Sequence, residues 1–333
     1  VLEPAAPSGI ILVDKPQGIS SHRAVSIARR RFGTRKIGHA GTLDPMATGL
    51  LVLGIGPSTR LLTHLVGLDK TYTATMRLGI TTDSDDADGT PVTWPGALLG
   101  SITEDALESA VAEQRGVIDQ VPSTVSAIKV DGRRAYAMAR NGETVELAAR
   151  RVTIGRFEVT DRRDMTASID GSPVPVVDVD IEIACTSGTY VRALARDVGA
   201  ALGVGAHLTA LRRTSVGPFE VSDAVDLEDD DVDVVRAMLR PADVARRLFP
   251  EVVLDAPDTK DLSDGKRVAT DLDDTEGPVA AVSGADDRLI GLVSARRGQF
   301  RVITNFPSPQ AVPGSAPGSA LRSAPDHRGG GRA

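Results

Sequence analysis

Gly41-Thr42-Leu43-Asp44-Pro45-Met46-Ala47-Thr48-Gly49-Leu50-Leu51 sets one carboxylate among small and turn-forming residues, just ahead of an apolar run. Glycines on both sides let backbone come close to a ligand. Pro45 fixes the chain after the acid and disfavours the right-handed helical region for Asp44. Met46 to Leu53 then leads into a buried strand. A reactive side chain is held this way on a loop by a rigid scaffold. An Asp-Pro pair taken alone also forms an Asx turn, so a turn, a metal ligand and a catalyst are all open at this point.

Outward from that run, Gly9 to Asp14 reads as a short strand. Ser20 or Ser21 can cap a helix through Arg31 that Gly33 ends. Gly49 to Ile55 is a strand, Arg60 to Val66 a short helix, and Lys70 to Leu78 alternates as a strand should. Ser101 with Glu104 makes a capping box for a helix through Gln114. Arg133 to Arg140 reads as helix ended by Asn141-Gly142. Val145 to Val159 and Val174 to Ala184 read as long strands joined by a polar loop. Tyr190 to Leu202 is helical and His207 to Thr214 extended. Strands and helices mix without a regular βα repeat, and no Gly-rich phosphate loop opens a helix, which argues against Rossmann and P-loop domains.

The chain has 333 residues, enough for two domains. No apolar run approaches the roughly 18 residues of a membrane span, and Val1 to Ser8 lacks the pattern of a secretory signal. Cys185 is the only cysteine, so an intramolecular disulfide is impossible, as expected for a cytoplasmic protein. The net charge of −7 is uneven. Residues 1–222 hold 24 basic and 25 acidic side chains, and residues 223–333 hold 14 and 20. Lys15 to Leu43 carries Arg23, Arg29, Arg30, Arg31, Arg35 and Lys36 and no acid. That stripe beside the Asp44 run is the footprint expected for phosphates, and also the pattern of a solvated helix face.

Histidines at 22, 39, 64, 207 and 327 show no metal-ligand spacing. Asp83 to Gly89 suggests calcium, but the EF-hand count puts Pro95 where the closing Glu belongs. No Gly-x-Ser-x-Gly marks a serine hydrolase.

The blocks Gly9 to Ser21, Gly38-His39-Ala40 with the Asp44 run, Lys70-Thr71-Tyr72 and Ser187-Gly188-Thr189-Tyr190-Val191-Arg192 stand in one order. In that order and at those spacings the chain resembles the TruB family of tRNA pseudouridine synthases, from about Gly9 to about Phe219. The resemblance implies an α+β fold, with a mixed, largely antiparallel central sheet flanked by helices and a small C-terminal β-rich, PUA-like RNA-binding domain. The expected organisation is a flexible N-terminus over 1–8, a catalytic domain over 9–222, and an acidic linker and helix over 223–250. A PUA-like unit follows over 251–306, then a disordered tail over 307–333. The tail is rich in Pro, Gly, Ser and Ala.

What the resemblance implies chemically is an isomerase acting at uridine-55 in the T loop of tRNA. The reaction breaks the N1–C1′ bond, rotates the base and joins C5 to C1′, with no net redox change. It therefore needs no nicotinamide, flavin, ATP or metal. Asp44 is then the essential carboxylate and Arg192 its counter-charge, donating in fork geometry. Tyr72 stacks on the flipped uracil and relays the C5 proton. Tyr190 and Leu211 line the pocket, and His39 enters the space the base leaves or stacks on a loop nucleotide. Lys15 and Arg60 are candidate phosphate ligands, with Arg29, Arg30, Arg31, Arg35 and Lys36 along the stripe. Val121-Pro122 stands where the family usually has paired prolines, which touches local loop geometry only. The expected partner is the tRNA T arm, met by a monomer without an obligate protein partner. Two rivals are a guide-RNA-dependent enzyme like the dyskerin relatives, and an RNA chaperone whose catalysis is incidental.

Overall fold

The computed structural model describes residues 7–123 and 147–306, with the backbone alone at 129–130 and 133–134. Nine strands form the main sheet: β1 (Gly9–Lys15), β2 (Ile37–Ala40), β3 (Thr48–Ile55), β4 (Lys70–Leu78), β7 (Gly116–Gln120), β10 (Arg150–Ile169), β11 (Ser172–Cys185), β12 (Ala206–Val216) and β13 (Phe219–Glu220). The spatial order is β1-β3-β12-β4-β11-β10-β7, with β2 beside β3 and β13 beside β12. Only β3 with β12 is parallel; the other pairs are antiparallel. The expected mixed, largely antiparallel sheet is what forms. Two short pairs, β5 (Thr81–Thr82) with β6 (Pro91–Thr93) and β8 (Lys129–Val130) with β9 (Arg133–Arg134), lie outside it.

Three helices cover one face. They are α1 (Ser21–Phe32), α3 (Glu104–Ala112) and α4 (Val191–Ala201), and a two-turn segment from Gly56 ends in the short α2 (Leu62–Leu65). Helix α1 starts at Ser20, whose hydroxyl accepts from Arg23 N, and stops at Gly33 in the left-handed region. Its buried side, Ala24, Val25, Ile27 and Ala28, joins Leu51, Leu53, Met76, Leu194 and Val198 in the main core. Strand β3 is apolar throughout because both its faces are covered. Leu51 and Leu53 face that core, while Leu50 and Val52 face a second one.

The second core joins the sheet to the C-terminal unit. Ile10, Leu12, Leu50 and Val52 meet Ala242, Val244 and Ala245 of α5 (Pro241–Leu248), and Ala280, Val282, Leu289 and Leu292 of a small sheet. That sheet orders β14 (Glu251–Leu254), β15 (Val279–Ser283), β16 (Leu289–Arg296) and β17 (Gln299–Asn305), with α6 (Ala256–Ser263) packed on it. The acidic stretch before α5 is fastened rather than free. Val225 bridges Val13, Leu239 bridges Ile10, and Leu227 and Val234 are buried in the main core.

Three local readings change. The helix begins at Thr103, whose hydroxyl accepts from Ala106 N; Ser101 instead closes a short turn by donating to Leu98 O. The polar loop expected after Val159 is strand, and β10 and β11 run on to a two-residue turn at Asp170-Gly171. Both turn residues have positive φ, the Asp-Gly signature of a tight hairpin. Its charged residues read as loop because their partners lie on other elements, Asp180 on β11 for Arg163 and Glu104 in α3 for Arg162. Arg133–Arg134 is strand rather than helix, and the rest of the expected helix, through Arg140, lies outside the described residues.

Gly49 has φ +96, and a Cβ there would overlap the Arg213 carbonyl oxygen where β3 meets β12. Gly49→Ala is expected to lower stability by more than about 2 kcal/mol. Gly203→Ala, also at positive φ but with open space, should cost about 1 kcal/mol. Urea midpoints at unchanged slope measure both.

Candidate active site

Strand β3 changes partner along its length. Val52 to Ile55 pair with β2, whereas Thr48 and Gly49 pair with β12. The Asp44 loop fills the fork where β2 leaves and β12 joins. Its two flanking residues are held. Ser21 Oγ accepts from Leu43 N at 2.8 Å and donates to Leu43 O at 2.9 Å. Pro45 O accepts from Gly18 N at 2.8 Å. Lys15 is wholly buried, and its Nζ donates to Pro16 O and Ile19 O at 2.8 Å and reaches Pro45 O at 3.5 Å. Arg213, 1% exposed, donates from Nε to Leu50 O and from Nη2 to Gly41 O. Two buried cations thus rest on backbone carbonyls around one loop, and the acid between them is fixed in place.

The loop borders a cavity of about 380 Å³, a volume suited to a small ligand or a nucleoside. Asp44, Tyr72, Tyr190, Arg192 and Leu211 line it together, with Gly41, Lys70, Arg150, Thr186 to Thr189 and Arg213 among the rest. Asp44 is the single carboxylate among the described lining residues.

Arg192 lies in the first turn of α4, 3% exposed. Its Nη2 stands 3.1 Å from Asp44 Oδ2, and its Nη1 meets Asp86 Oδ2 at 3.0 Å and donates to Ser84 O at 2.7 Å. The expected fork is therefore divided between two carboxylates instead of closing on Asp44 alone. Asp86 is itself buried and accepts from Ser84 Oγ at 2.6 Å and Asp88 N at 3.1 Å.

About a third of the Asp44 side chain faces the cavity, yet protein surrounds the carboxylate closely. Burial pushes its carboxyl above the usual range, the Arg192 guanidinium opposes that rise, and Asp86 adds to it. Burial likewise lowers the Lys15 and Lys70 ammonium groups to about 8. It raises the phenols of Tyr72, against Arg213, and of Tyr190. Cys185, buried behind the pocket, is pushed up to about 11 and is inert.

The other sequence-named residues are elsewhere. His39 does not line the cavity; its ring meets His22 edge-on at 5.7 Å, and burial lowers its pKa. Lys15 is no phosphate ligand, because its ammonium is buried among carbonyls. Arg60 donates to Asn305 O and so joins α2's approach to the C-terminal sheet. Arg31 donates to Leu227 O, Asp229 O and Val232 O, which binds the acidic stretch instead of leaving a free cation. Arg29, Arg30, Arg35 and Lys36 stay exposed around the end of α1.

Asp86, Arg213 and Lys70 escaped the sequence reading. Asp86 sits in the acidic loop tested only against a calcium pattern. Arg213 lies in the extended segment His207 to Thr214, two residues after Leu211. A basic residue on an apolar alternation, as at Lys70 and Arg213, is the signal both carried.

The description "TruB family pseudouridylate synthase (N terminal domain)" matches residues 29–191, and "tRNA pseudouridylate synthase B C-terminal domain" matches 192–245. A protein of Arthrobacter sp. called tRNA pseudouridine synthase B is 48% identical over 92% of this chain and 99% of its own. One of the same description from Mycobacteroides abscessus is 50% identical over 88% and 94%. A solved Cbf5-Nop10-Gar1 complex shares the fold, with TM-score 0.63 and 23% identity over 91% of this chain and 85% of that one.

Removing Asp86 leaves a buried guanidinium short of one carboxylate, so Asp86→Ala should cost about 3 kcal/mol or more. Asp44→Asn should cost little. A carboxyl raised on folding loses stability as pH rises through its folded pKa, so the amide's relative advantage grows from acid to neutral pH. Urea unfolding of both variants at two pH values measures the contrast.

Proposed function

Because the chain belongs to the TruB family, and so isomerises uridine to pseudouridine in tRNA, we propose that Asp44 is the carboxylate that acts on the target nucleotide, at uridine-55 of the T loop. The observation that carries this is the placement of Asp44, the one carboxylate among the described lining residues, against a buried guanidinium in a cavity that Tyr72 and Tyr190 also line. Each route from uridine to pseudouridine uses an ionised carboxylate against the nucleotide: attack at C1′, attack at C6, or stabilisation of a cationic sugar. In each, the glycosidic N1–C1′ bond breaks, C5 bonds C1′, the C5 proton departs and N1 takes up a proton.

A base inside the folded T loop has to be flipped to enter the cavity. Tyr72 then stacks on it and takes part in moving the C5 proton, with Tyr190 and Leu211 completing the walls. His39, outside the cavity, meets the loop the base has left. Arg29, Arg30, Arg35 and Lys36 contact phosphate along the arm, a mode of recognition by shape and charge. The C-terminal sheet serves as the RNA-binding, PUA-like unit of 251–306, after a catalytic unit ending near 222. Among the described residues no helix is long and apolar enough to cross a membrane, and the assigned place of work is the cytoplasm. The chain acts as a monomer on the bare T arm.

Asp44→Asn should abolish turnover and leave tRNA binding nearly intact, measured by tritium release and filter binding; substantial product from that variant refutes the assignment. The acid limb of kcat/KM should lie above the ordinary aspartate range, because burial raises Asp44 and only its ionised form acts. Arg192→Gln, which removes the opposing charge, should move that limb to still higher pH. Replacing Arg30, Arg35 or Lys36 by Ala should each flatten the slope of log affinity against log salt by about 0.7 to 1. Product from the purified chain on a T-arm hairpin, with no guide RNA added, tests the partner-free reading.

A further inference from the structure

Tyr190 is the first residue outside α4, and its own side chain does not cap that helix. A carboxamide from another strand does the work at this point. Gln120, the last residue of β7, is 2% exposed. Its Oε1 accepts from Tyr190 N at 2.8 Å, and its Nε2 donates to Tyr190 O at 3.1 Å. A two-point bond from a buried amide to one residue's N–H and C=O imitates a strand partner and fixes both position and rotation of that backbone. The same carbonyl starts the helix by accepting from Ala193 N and Leu194 N. The residue two places on from Tyr190 is Arg192.

Two further contacts make this junction firm. Val121 O, the next carbonyl after Gln120, accepts from Arg196 Nη2 at 2.8 Å, one turn along α4. The backbone of Gln120 pairs with Arg150, whose side chain lines the cavity beside Tyr190. One residue therefore fixes the strand neighbour Arg150 by register and the helix start Tyr190 by its side chain. Both are cavity walls.

We propose that Gln120 is a positioning residue of the isomerisation, holding the Tyr190-to-Arg192 turn so that the tyrosine ring and the guanidinium keep their places against Asp44. It touches no substrate itself. This role rests on the assignment of Asp44 and Arg192 made above. Loss of the carboxamide frees the N-terminal turn of α4 to shift, which moves the Arg192 fork off Asp44 while the exposed basic residues of α1 are untouched. The defect thus falls on the chemical step and not on RNA affinity.

Gln120→Glu supplies a test beyond simple loss. Protonated, its carboxyl repeats the carboxamide's pattern, accepting from Tyr190 N and donating to Tyr190 O. Ionised, it presents a lone pair to the Tyr190 carbonyl. Charged groups around the site among the described residues, Asp119 and Arg150 on the paired strands, Arg192 and Arg196 on α4, Asp44 on its loop and Asp85 on the acidic loop, are common to variant and wild type. Dividing the variant's single-turnover rate by the wild-type rate at each pH cancels their effect. The full chain with tRNA transcript is used, with Asp44→Asn in parallel. Gln120→Ala is expected to lower the single-turnover rate at least tenfold, with tRNA Kd changed less than threefold and the variant folded by circular dichroism. The Gln120→Glu rate ratio is expected to be near one in acid and to fall as pH rises. A Gln120→Ala rate within threefold of wild type, or a Gln120→Glu ratio flat with pH, overturns the proposal. An active Asp44→Asn would instead overturn the assignment of Asp44.

Discussion

A single guanidinium sits between two carboxylates at the centre of this molecule. Arg192 reaches Asp44 on one side and Asp86 with the Ser84 carbonyl on the other. A buried arginine stays charged, so it needs partners wherever the fold puts it. Two chain segments distant in sequence from the start of α4 supply Asp44, Asp86 and the Ser84 carbonyl: the Asp44 loop and the acidic turn at 83–89. The turn is folded around Asp86, which also binds Ser84 Oγ and Asp88 N. Asp44 is the more exposed of the two acids, and its side chain opens onto the cavity. The more buried acid pairs with the arginine from one side and the other acid opens onto the cavity, where burial raises its pKa.

The remaining buried cations work differently. Lys15, Lys70 and Arg213 rest their charge on backbone carbonyls. The two lysines are lowered toward neutrality in consequence of burial. These groups lock the loops around the cavity, Lys15 and Arg213 on the Asp44 loop and Lys70 on the end of α2. Such internal pairing also explains why a count of basic residues overstates the solvent-facing charge. Lys15, Arg31 and Arg60 are each engaged within the protein, and the exposed stripe is left to Arg23 near the start of α1, Arg29 and Arg30 near its end, and Arg35 and Lys36 after it.

Much of the fold was legible because its elements carry local signals. The Ser20 cap and Gly33 stop define α1, alternation defines β4, and the apolar run of β3 marks a strand covered on both faces. Where the reading erred, a local signal competed with a distant partner. Charged residues in β10 read as loop because their counter-charges lie on other elements, Asp180 on β11 for Arg163 and Glu104 in α3 for Arg162. The acidic part of the linker and helix over 223–250 carries no local sign of its attachment, because the arginine that binds it, Arg31, is some two hundred residues away.

The site divides in the same way. By itself the sequence determined that Asp44 stands on a loop built for close approach, and its blocks marked Tyr72, Tyr190, Arg192 and Leu211, which share one cavity. Composition, glycine spacing and motif order are local properties and survive without coordinates. Only the tertiary structure decided that Asp86 shares Arg192, that Lys15 faces inward, and that Gln120 holds the turn before α4. The Asp86 and Gln120 contacts join segments far apart in the chain, and Lys15, bonded to its own turn, also reaches Pro45 O thirty residues on; no pattern within one segment encodes the distance to another.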